Sequence, residues 1–282
     1  MKVFYNPKQS VTKNDSFSPS ASKPGKFVDV LLESALDAEI TSFAQASIAD
    51  LMRVHDKQFV RDLLTCRAPN GFGNKSKLVA KSLRWLSGSA MASCLYSLES
   101  GLSSFAVVAG AHHAGHDFTG GFCTINHIMV GVSAALSAGS GRVGVLDLDA
   151  HRGNGTEDII NELKLRDRVL HYTVGAEGLS SCAQAKAWLG RLREIVYTFE
   201  GCSLLIYQAG ADMHVKDKLC NGYLTTSEMR TSDRMVYEVS RALGIPVVTI
   251  LGGGYQWDKQ KTITPVIKLH VNTFQECINA NK

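Results

Sequence analysis

Asp147-x-Asp149-x-His151 closes an apolar run, and its three ionisable side chains are the strongest chemical signal in the chain. Side chains alternate along an extended backbone, so residues two apart face the same way. On that basis Asp149 and His151 converge on one point, with Asp147 behind them. Burying three ionisable groups at the end of an apolar strand is costly unless they have partners or a metal. Asp212 follows a second apolar run and offers a further donor, although an Asp in that place is also a common helix N-cap. Two carboxylates and one imidazole leave a coordination position open for water, as catalytic zinc sites do. An oxygen-rich set of this kind suits Fe(II) and Co(II) as well.

Two further groups stand where apolar runs end. His112-His113 is a general acid–base candidate because imidazoles titrate near neutral pH and a candidate metal lies close by. The plainer alternative is a surface loop, since His116 and Asp117 follow. Gly252-Gly253-Gly254-Tyr255 reads either as a flexible turn with a packed aromatic or as a mobile loop. In the second case its tyrosine hydroxyl can donate to a developing oxyanion.

The elements that must position these groups alternate along the chain. Short β-branched runs occur at Phe105–Ala109, Val143–Leu148, Val169–Val174, Leu204–Tyr207 and Pro246–Leu251. Helical patterns fall at about 27–35, 57–66, 76–99, 126–138, 156–164, 183–199 and 226–243, with a polar, irregular stretch at 10–26. Strands lacking polar alternation are buried on both faces, and helices between them imply parallel crossovers. The expected architecture is a three-layer α/β domain, a mostly parallel central sheet with helices on both faces. In open α/β sheets ligands bind beyond the carboxyl ends of the strands, where His, Asp and Tyr collect here. The run Gly139-Ser140-Gly141-Arg142-Val143-Gly144 matches G-x-G-x-x-G, but it follows a helix and enters a strand. A dinucleotide-binding fingerprint requires the reverse order, so it reads as a helix stop and turn.

The 282 residues carry no repeat, low-complexity tract or domain boundary, and a single catalytic domain over 1–282 is expected. The net charge of +4 is dispersed, which gives no reason to expect direct nucleic-acid binding. Seven scattered cysteines without a C-x-x-C argue for a reducing compartment over a disulfide framework. The opening MKVFYNPKQS lacks a signal-peptide core, and no apolar run approaches the ~20 residues of a membrane span. A cytoplasmic protein without a membrane partner is expected; the oligomeric state is left open.

Taken together the motifs resemble the histone deacetylase and acetylpolyamine amidohydrolase superfamily. The stretches that carry the likeness are Gly110-Ala111-His112-His113-Ala114, Gly121-Phe122-Cys123-Thr124-Ile125-Asn126, 147–156, Ala209-Gly210-Ala211-Asp212 and Leu251-Gly252-Gly253-Gly254-Tyr255. They occur in the family's order, within similarity running from about Phe17 to Asp258. The resemblance implies an arginase/deacetylase-like fold and hydrolysis of an acylated amine. It further implies Asp149, His151 and Asp212 as zinc ligands and His112, held by Asp147, as a group orienting the reacting water. His113, beside Asn154, is implied as general base and then acid, and Tyr255 as oxyanion donor. Gly121, Phe122 and Leu219 resemble the lining of the acyl-amine channel. The backbone carbonyls of Asp147, Asp149, His151, Thr173 and Val174 resemble a structural potassium site. Because Asn154 is neutral where some relatives carry Asp, His113 should be the more easily deprotonated histidine.

Departures from the family pattern concern the rim. The segment 175–203 is short, Lys218 stands where proline is common, and Arg152 replaces a common histidine. The leading expectation is a metal-dependent deacetylase acting on acyl-lysine in protein or peptide. The alternative substrate is a small acylamine such as an acetylpolyamine, because a narrow channel reads only the chain near the amide. A catalytically silent acylamine-binding protein is the remaining reading.

Overall fold

Short apolar runs assemble into one sheet in which every strand pairs in parallel with its neighbours, in the order β2-β1-β3-β7-β6-β4-β5. The structure is a computed structural model that describes residues 1–13, 16–220 and 222–281. The strands are β1 (Lys2–Phe4), β2 (Glu39–Thr41), β3 (Ser104–Ala109), β4 (Arg142–Asp147), β5 (Val169–Thr173), β6 (Cys202–Gly210) and β7 (Val247–Gly252). The five expected strands are all present, and the sheet is wholly parallel where a mostly parallel one was expected. β1 and β2 escaped the sequence reading because three residues are too few to show a period.

Helices cover both faces. On one side lie α1 (Lys23–Glu33), α7 (Cys182–Tyr197), α8 (Thr226–Ala242) and α9 (Thr264–Ala280). The other side carries α2 (Ile48–Met52), α3 (Lys57–Leu64), α4 (Lys77–Ser100), α5 (His127–Ser137) and α6 (Asn154–Glu162). Alternation along the buried strands divides the core between them. Leu205 and Tyr207 of β6 enter the first layer, and Leu204 and Ile206 enter the second. A chain buried on both faces reads as continuously apolar, which is why these strands were legible.

The elements differ from expectation in several places, the short α2 among them. The helix expected at 27–35 begins at Lys23, since Pro24 in its first turn is compatible with a helix start, so the polar stretch 10–26 is partly helical. Asn14 and Asp15 of that stretch lie outside the described residues. β6 runs on through Gln208 to Gly210, past the polar residue at which the apolar run was taken to end. α9 was not expected, although its buried Val266, Ile267, His270, Phe274 and Cys277 follow helical spacing. The G-x-G-x-x-G run behaves as read: Gly139 adopts φ +89° just beyond α5, and the chain then enters β4. All seven cysteines are free thiols, and no helix among the described residues is long and apolar enough to cross a membrane.

Two buried histidines join the second layer to the loops above the sheet. His55 Nδ1 donates to the Gly115 carbonyl at 2.8 Å, while its Nε2 accepts from the Asn126 N–H at 3.0 Å, so the ring is neutral. His127 Nδ1 lies 2.8 Å from the Ser87 hydroxyl. Burial pushes His55 down to about 4 and His127 down to about 3, against an ordinary value of 6.5. Below pH 6.5 the unfolded chain therefore binds more protons than the native one, and stability must fall with pH. Each ring contributes a slope of up to about 1.4 kcal/mol per pH unit until its folded value is reached. Thermal unfolding followed between pH 7.5 and 4.5 should show this fall, with a shallower slope in His127→Asn. Equal slopes in the two proteins would contradict a neutral, buried His127.

Candidate metal centre and active site

The carboxyl ends of four adjacent strands, β3, β7, β6 and β4, deliver the chemical groups to one edge of the sheet. β4 ends at Asp147, so Asp149 and His151 are not on an extended strand as the alternation argument required. They sit in the turn beyond it, and side-chain-to-backbone bonds replace the strand in orienting them. Asp147 Oδ1 accepts from the Asp149 N–H at 3.1 Å, and Asp149 Oδ1 accepts from the His151 N–H at 3.0 Å. Asp212 occupies a 3-10 turn directly after β6, and its Oδ1 accepts from the Ala150 N–H at 3.1 Å. Local Asx-type bonding, not pleat geometry, makes the donors converge.

Asp149, His151 and Asp212 each present a ligand atom, and these atoms all lie within 4.8 Å of one another. His151 Nδ1 is 2.8 Å from Asp212 Oδ2 and 3.2 Å from Asp149 Oδ1. Hydrogen bonds to Asp149 and Asp212 raise His151 to about 10. Burial and the neighbouring Asp149 carboxylate push Asp212 up to about 8. Two carboxylates crowded together in a dry site demand a positive charge between them. Gly253, at φ +40°, also leaves open the space beside them. A Cβ there would lie 2.6 Å from Asp212 Oδ1 and 2.8 Å from Asp149 Oδ2. The donor set and this glycine fit a small divalent cation and leave a position for water.

The histidine pair stands on the turn after β3, with ring centroids 4.0 Å apart. Their partners differ. His112 Nδ1 meets Asp147 Oδ2 at 2.7 Å, and His113 Nδ1 meets Asn154 Oδ1 at 2.6 Å, Asn154 being the first residue of α6. Burial alone would lower His112, but the carboxylates of Asp147 and Asp149 carry it up to about 9. Burial and the charge on His112 lower His113, so it is the more easily deprotonated of the pair as expected, although its bond to Asn154 acts the other way. One imidazole is thus held cationic and its neighbour is left free to take a proton. Asn126 fixes the loop below them by donating to Ala114 O at 3.0 Å and to Thr156 Oγ1 at 3.1 Å.

Tyr255 lies beyond β7, where Gly253 and Gly254 both take positive φ. Its N–H donates to Asp217 Oδ2 at 2.6 Å, and its ring centroid is 5.5 Å from that of Phe122. Burial pushes the phenol well above its ordinary value, so it is a donor throughout the working range, and the Ser20 hydroxyl faces it. Gly121, at φ +49°, packs on His113; a Cβ there would fall 2.2 Å from the ring carbon Cδ2. Phe122 adopts φ +63°, a strained backbone for an aromatic residue, and its ring meets Phe17 at 5.2 Å. Leu219 is 45% exposed on the turn that Asp217 Oδ1 closes by accepting its N–H at 2.9 Å. The β4–β5 register pairs Asp147 with Thr173, bringing Val174 to the same edge. Arg152 points away along α6 to Glu157, 2.8 Å distant.

Sequence reasoning missed Lys23. It is fully buried, and its Nζ donates to the Gly253 carbonyl and to Gly252 O at 3.4 Å, beneath the glycine loop that carries Tyr255. Burial lowers it to about 8, with Asp149 and Asp212 opposing that shift. A lysine in a Ser-, Pro- and Lys-rich stretch gives no local sign of burial. Asp217 was likewise invisible, because only the fold reveals that its carboxylate ties Tyr255 to the Leu219 turn.

The arrangement has known counterparts. The chain is 26% identical over 224 residues to an uncharacterized protein of Picosynechococcus, covering 72% of this chain and 74% of that one. It is 29% identical over 173 residues to acetylpolyamine amidohydrolase 1 of Pseudomonas aeruginosa, covering 51% of this chain and 48% of that relative. The chain thus spans about half the length of that amidohydrolase. A crystal structure of an acetylpolyamine aminohydrolase from Burkholderia pseudomallei superposes with a TM-score of 0.78 at 20% identity, covering 98% of both chains. That likeness establishes the three-layer, parallel α/β fold. Residues 20–174 and 177–270 match the family described as Histone deacetylase domain, and the chain belongs to that family of hydrolytic enzymes.

Proposed function

We propose that the protein hydrolyses the amide of an acylated amine, with acyl-lysine in a protein or peptide as the substrate and zinc bound by Asp149, His151 and Asp212. The observation that carries this reading is the differently partnered histidine pair beside the Asp149–His151–Asp212 cluster. Zinc, when bound, supplies a Lewis acid that polarises the carbonyl and acidifies water. Fe(II) and Co(II) tolerate the same donors. His113, whose proton affinity is lowered, takes a proton from the attacking water as the new C–O bond forms. The same imidazole then gives that proton to the nitrogen as the C–N bond breaks, releasing a carboxylic acid and an amine. His112, kept cationic by Asp147, orients the water through Nε2. The Tyr255 hydroxyl donates to the oxyanion, carried on glycines that let the ring move. Gly121, Phe122 and Leu219 line the approach of the acyl chain. The carbonyls of Asp147, Asp149, His151, Thr173 and Val174 would hold a structural potassium ion.

Charge near the site supports acyl-lysine over a polyamine. Lys216 and Lys218 are exposed on either side of Asp217, the residue tied to Tyr255, and they repel a polycation. The second reading, a small acylamine, draws on the named amidohydrolase relative. Release of acetate by zinc-loaded protein from an acetyl-lysine peptide and from an acetylpolyamine decides between them. Tight zinc binding with hydrolysis of neither would instead support a silent acylamine-binding protein.

Variants at three positions test the roles. Asp212→Ala should lose metal and activity together, since two protein donors hold zinc poorly; full metal content by elemental analysis would contradict the ligand assignment. Tyr255→Phe should keep metal while kcat falls by about 10²–10³, the usual cost of an oxyanion donor; an unchanged rate would remove that role. Lys23→Met strands buried glycine carbonyls at a cost of about 1–3 kcal/mol. It should lower kcat more than it raises KM, with Lys23→Arg restoring both. Equal behaviour of the two variants would leave Lys23 a purely structural part.

A further inference from the structure

Outside the catalytic machinery, the first turns of α4 form one wall of an open groove of about 800 Å³. The segment after β1, the start of α2 and the end of α3 also line it. Four cations line the groove, Lys8, Lys77, Lys81 and Arg84, and among the described residues no carboxylate does. Lys77, Lys81 and Arg84 stand at i, i+4 and i+7 on one helix, a row about 10 Å long on one face. Lys8 Nζ faces the row from the other side, 4.8 Å above the Trp85 ring. Arg84 spends only Nε, which donates to Ala46 O at 2.7 Å. Among the described residues none of the four cations joins an ion pair, although other exposed cations of the chain do, such as Arg191 with Glu177 and Arg193 with Glu238. Apolar side chains line the groove as well, and two of them are left open, Ile48 at 43% and Leu78 at 54% exposure.

Like charges three and four residues apart on a helix destabilise it by a few tenths of a kcal/mol each, and among the described residues no carboxylate pairs with them. A cleft lined by one sign of charge concentrates counter-charge from solution. A single anionic headgroup would satisfy one end of the row and leave the other end and the aliphatic side chains unused. An extended or helical segment with several carboxylates matches the row, and aliphatic side chains on the same segment match the exposed Ile48 and Leu78. α4 leads within a few residues into the amino end of β3, so its first turns stand at the carboxyl edge of the sheet, as the catalytic groups do.

We propose that this groove is a docking site for an acidic peptide segment of a partner protein, in which carboxylates alternate with aliphatic side chains. The test uses the full chain and a fluorescein-labelled dodecapeptide of alternating Glu and Leu, titrated by anisotropy at low and at physiological salt. Saturable binding should weaken at least about tenfold in Lys77→Glu/Lys81→Glu, and it should weaken with salt. The first of these changes places an acid in the first turn of α4, which favours the helix. Unchanged circular dichroism and unchanged amide hydrolysis by the double variant would show that only docking was altered. Should that variant fail to fold, Leu78→Ser in the otherwise native chain gives the second reading, with loss of affinity expected. Equal affinity of native and altered proteins would overturn the proposal. So would equal binding of a Glu–Ser peptide, or equal competition by single-stranded DNA, each of which marks an unselective polyanion surface.

Discussion

Three carboxylates, Asp147, Asp149 and Asp212, are buried almost completely within one cluster, and the rest of the site is organised around making that tolerable. Such charges cannot stay ionised together in a dry interior without compensation. The compensation comes in layers. Backbone N–H groups of the turn after β4 bond Asp147 and Asp149, and Ala150 bonds Asp212. His112 answers Asp147 directly, and His151 lies between the other two. Lys23 adds a buried positive charge from below. What remains is a small, electron-rich gap bounded by Gly253, the kind of place a divalent cation completes.

That same concentration of charge explains why neighbouring histidines differ. With two carboxylates close by, His112 retains its proton; His113 has an amide partner and feels the charge of His112. One adjacent pair therefore offers a fixed cation and a proton acceptor, a division that amide hydrolysis can use. The cost appears elsewhere as strain and close packing. Gly121 has no room for a side chain beside His113, and Phe122 accepts a left-handed backbone to cover the site. Asp217 and Lys23 then hold the Tyr255 loop from two sides, which couples the oxyanion donor to groups far apart in the chain.

Much of this was written locally. Strands β3 to β7 and most of the helices follow from apolar period alone, because parallel strands beneath helices and amphipathic helices leave distinct patterns. The donors Asp149, His151 and Asp212 and the pair His112-His113 stand out because polar residues at the ends of apolar strands are conspicuous. Strand alternation does not bring them together, however, because the chain turns immediately after Asp147. The distinction between a strand and a turn rests on which carboxylate accepts which N–H, and spacing does not record it.

Tertiary structure decided the matters that depend on which distant segments become neighbours. The strand order places β7 between β3 and β6, so a loop late in the chain stands over groups from its middle. Lys23 became a buried donor because α1 packs beneath that loop, and nothing in its polar neighbourhood predicts this. β1, β2 and α9 were decided likewise, two strands by pairing too brief to carry a period and one helix by the core it covers. Residue types and their local period determine the elements and the inventory of chemical groups. The partners of each group are set by long-range packing, in which the identity of a neighbour is independent of its distance along the chain.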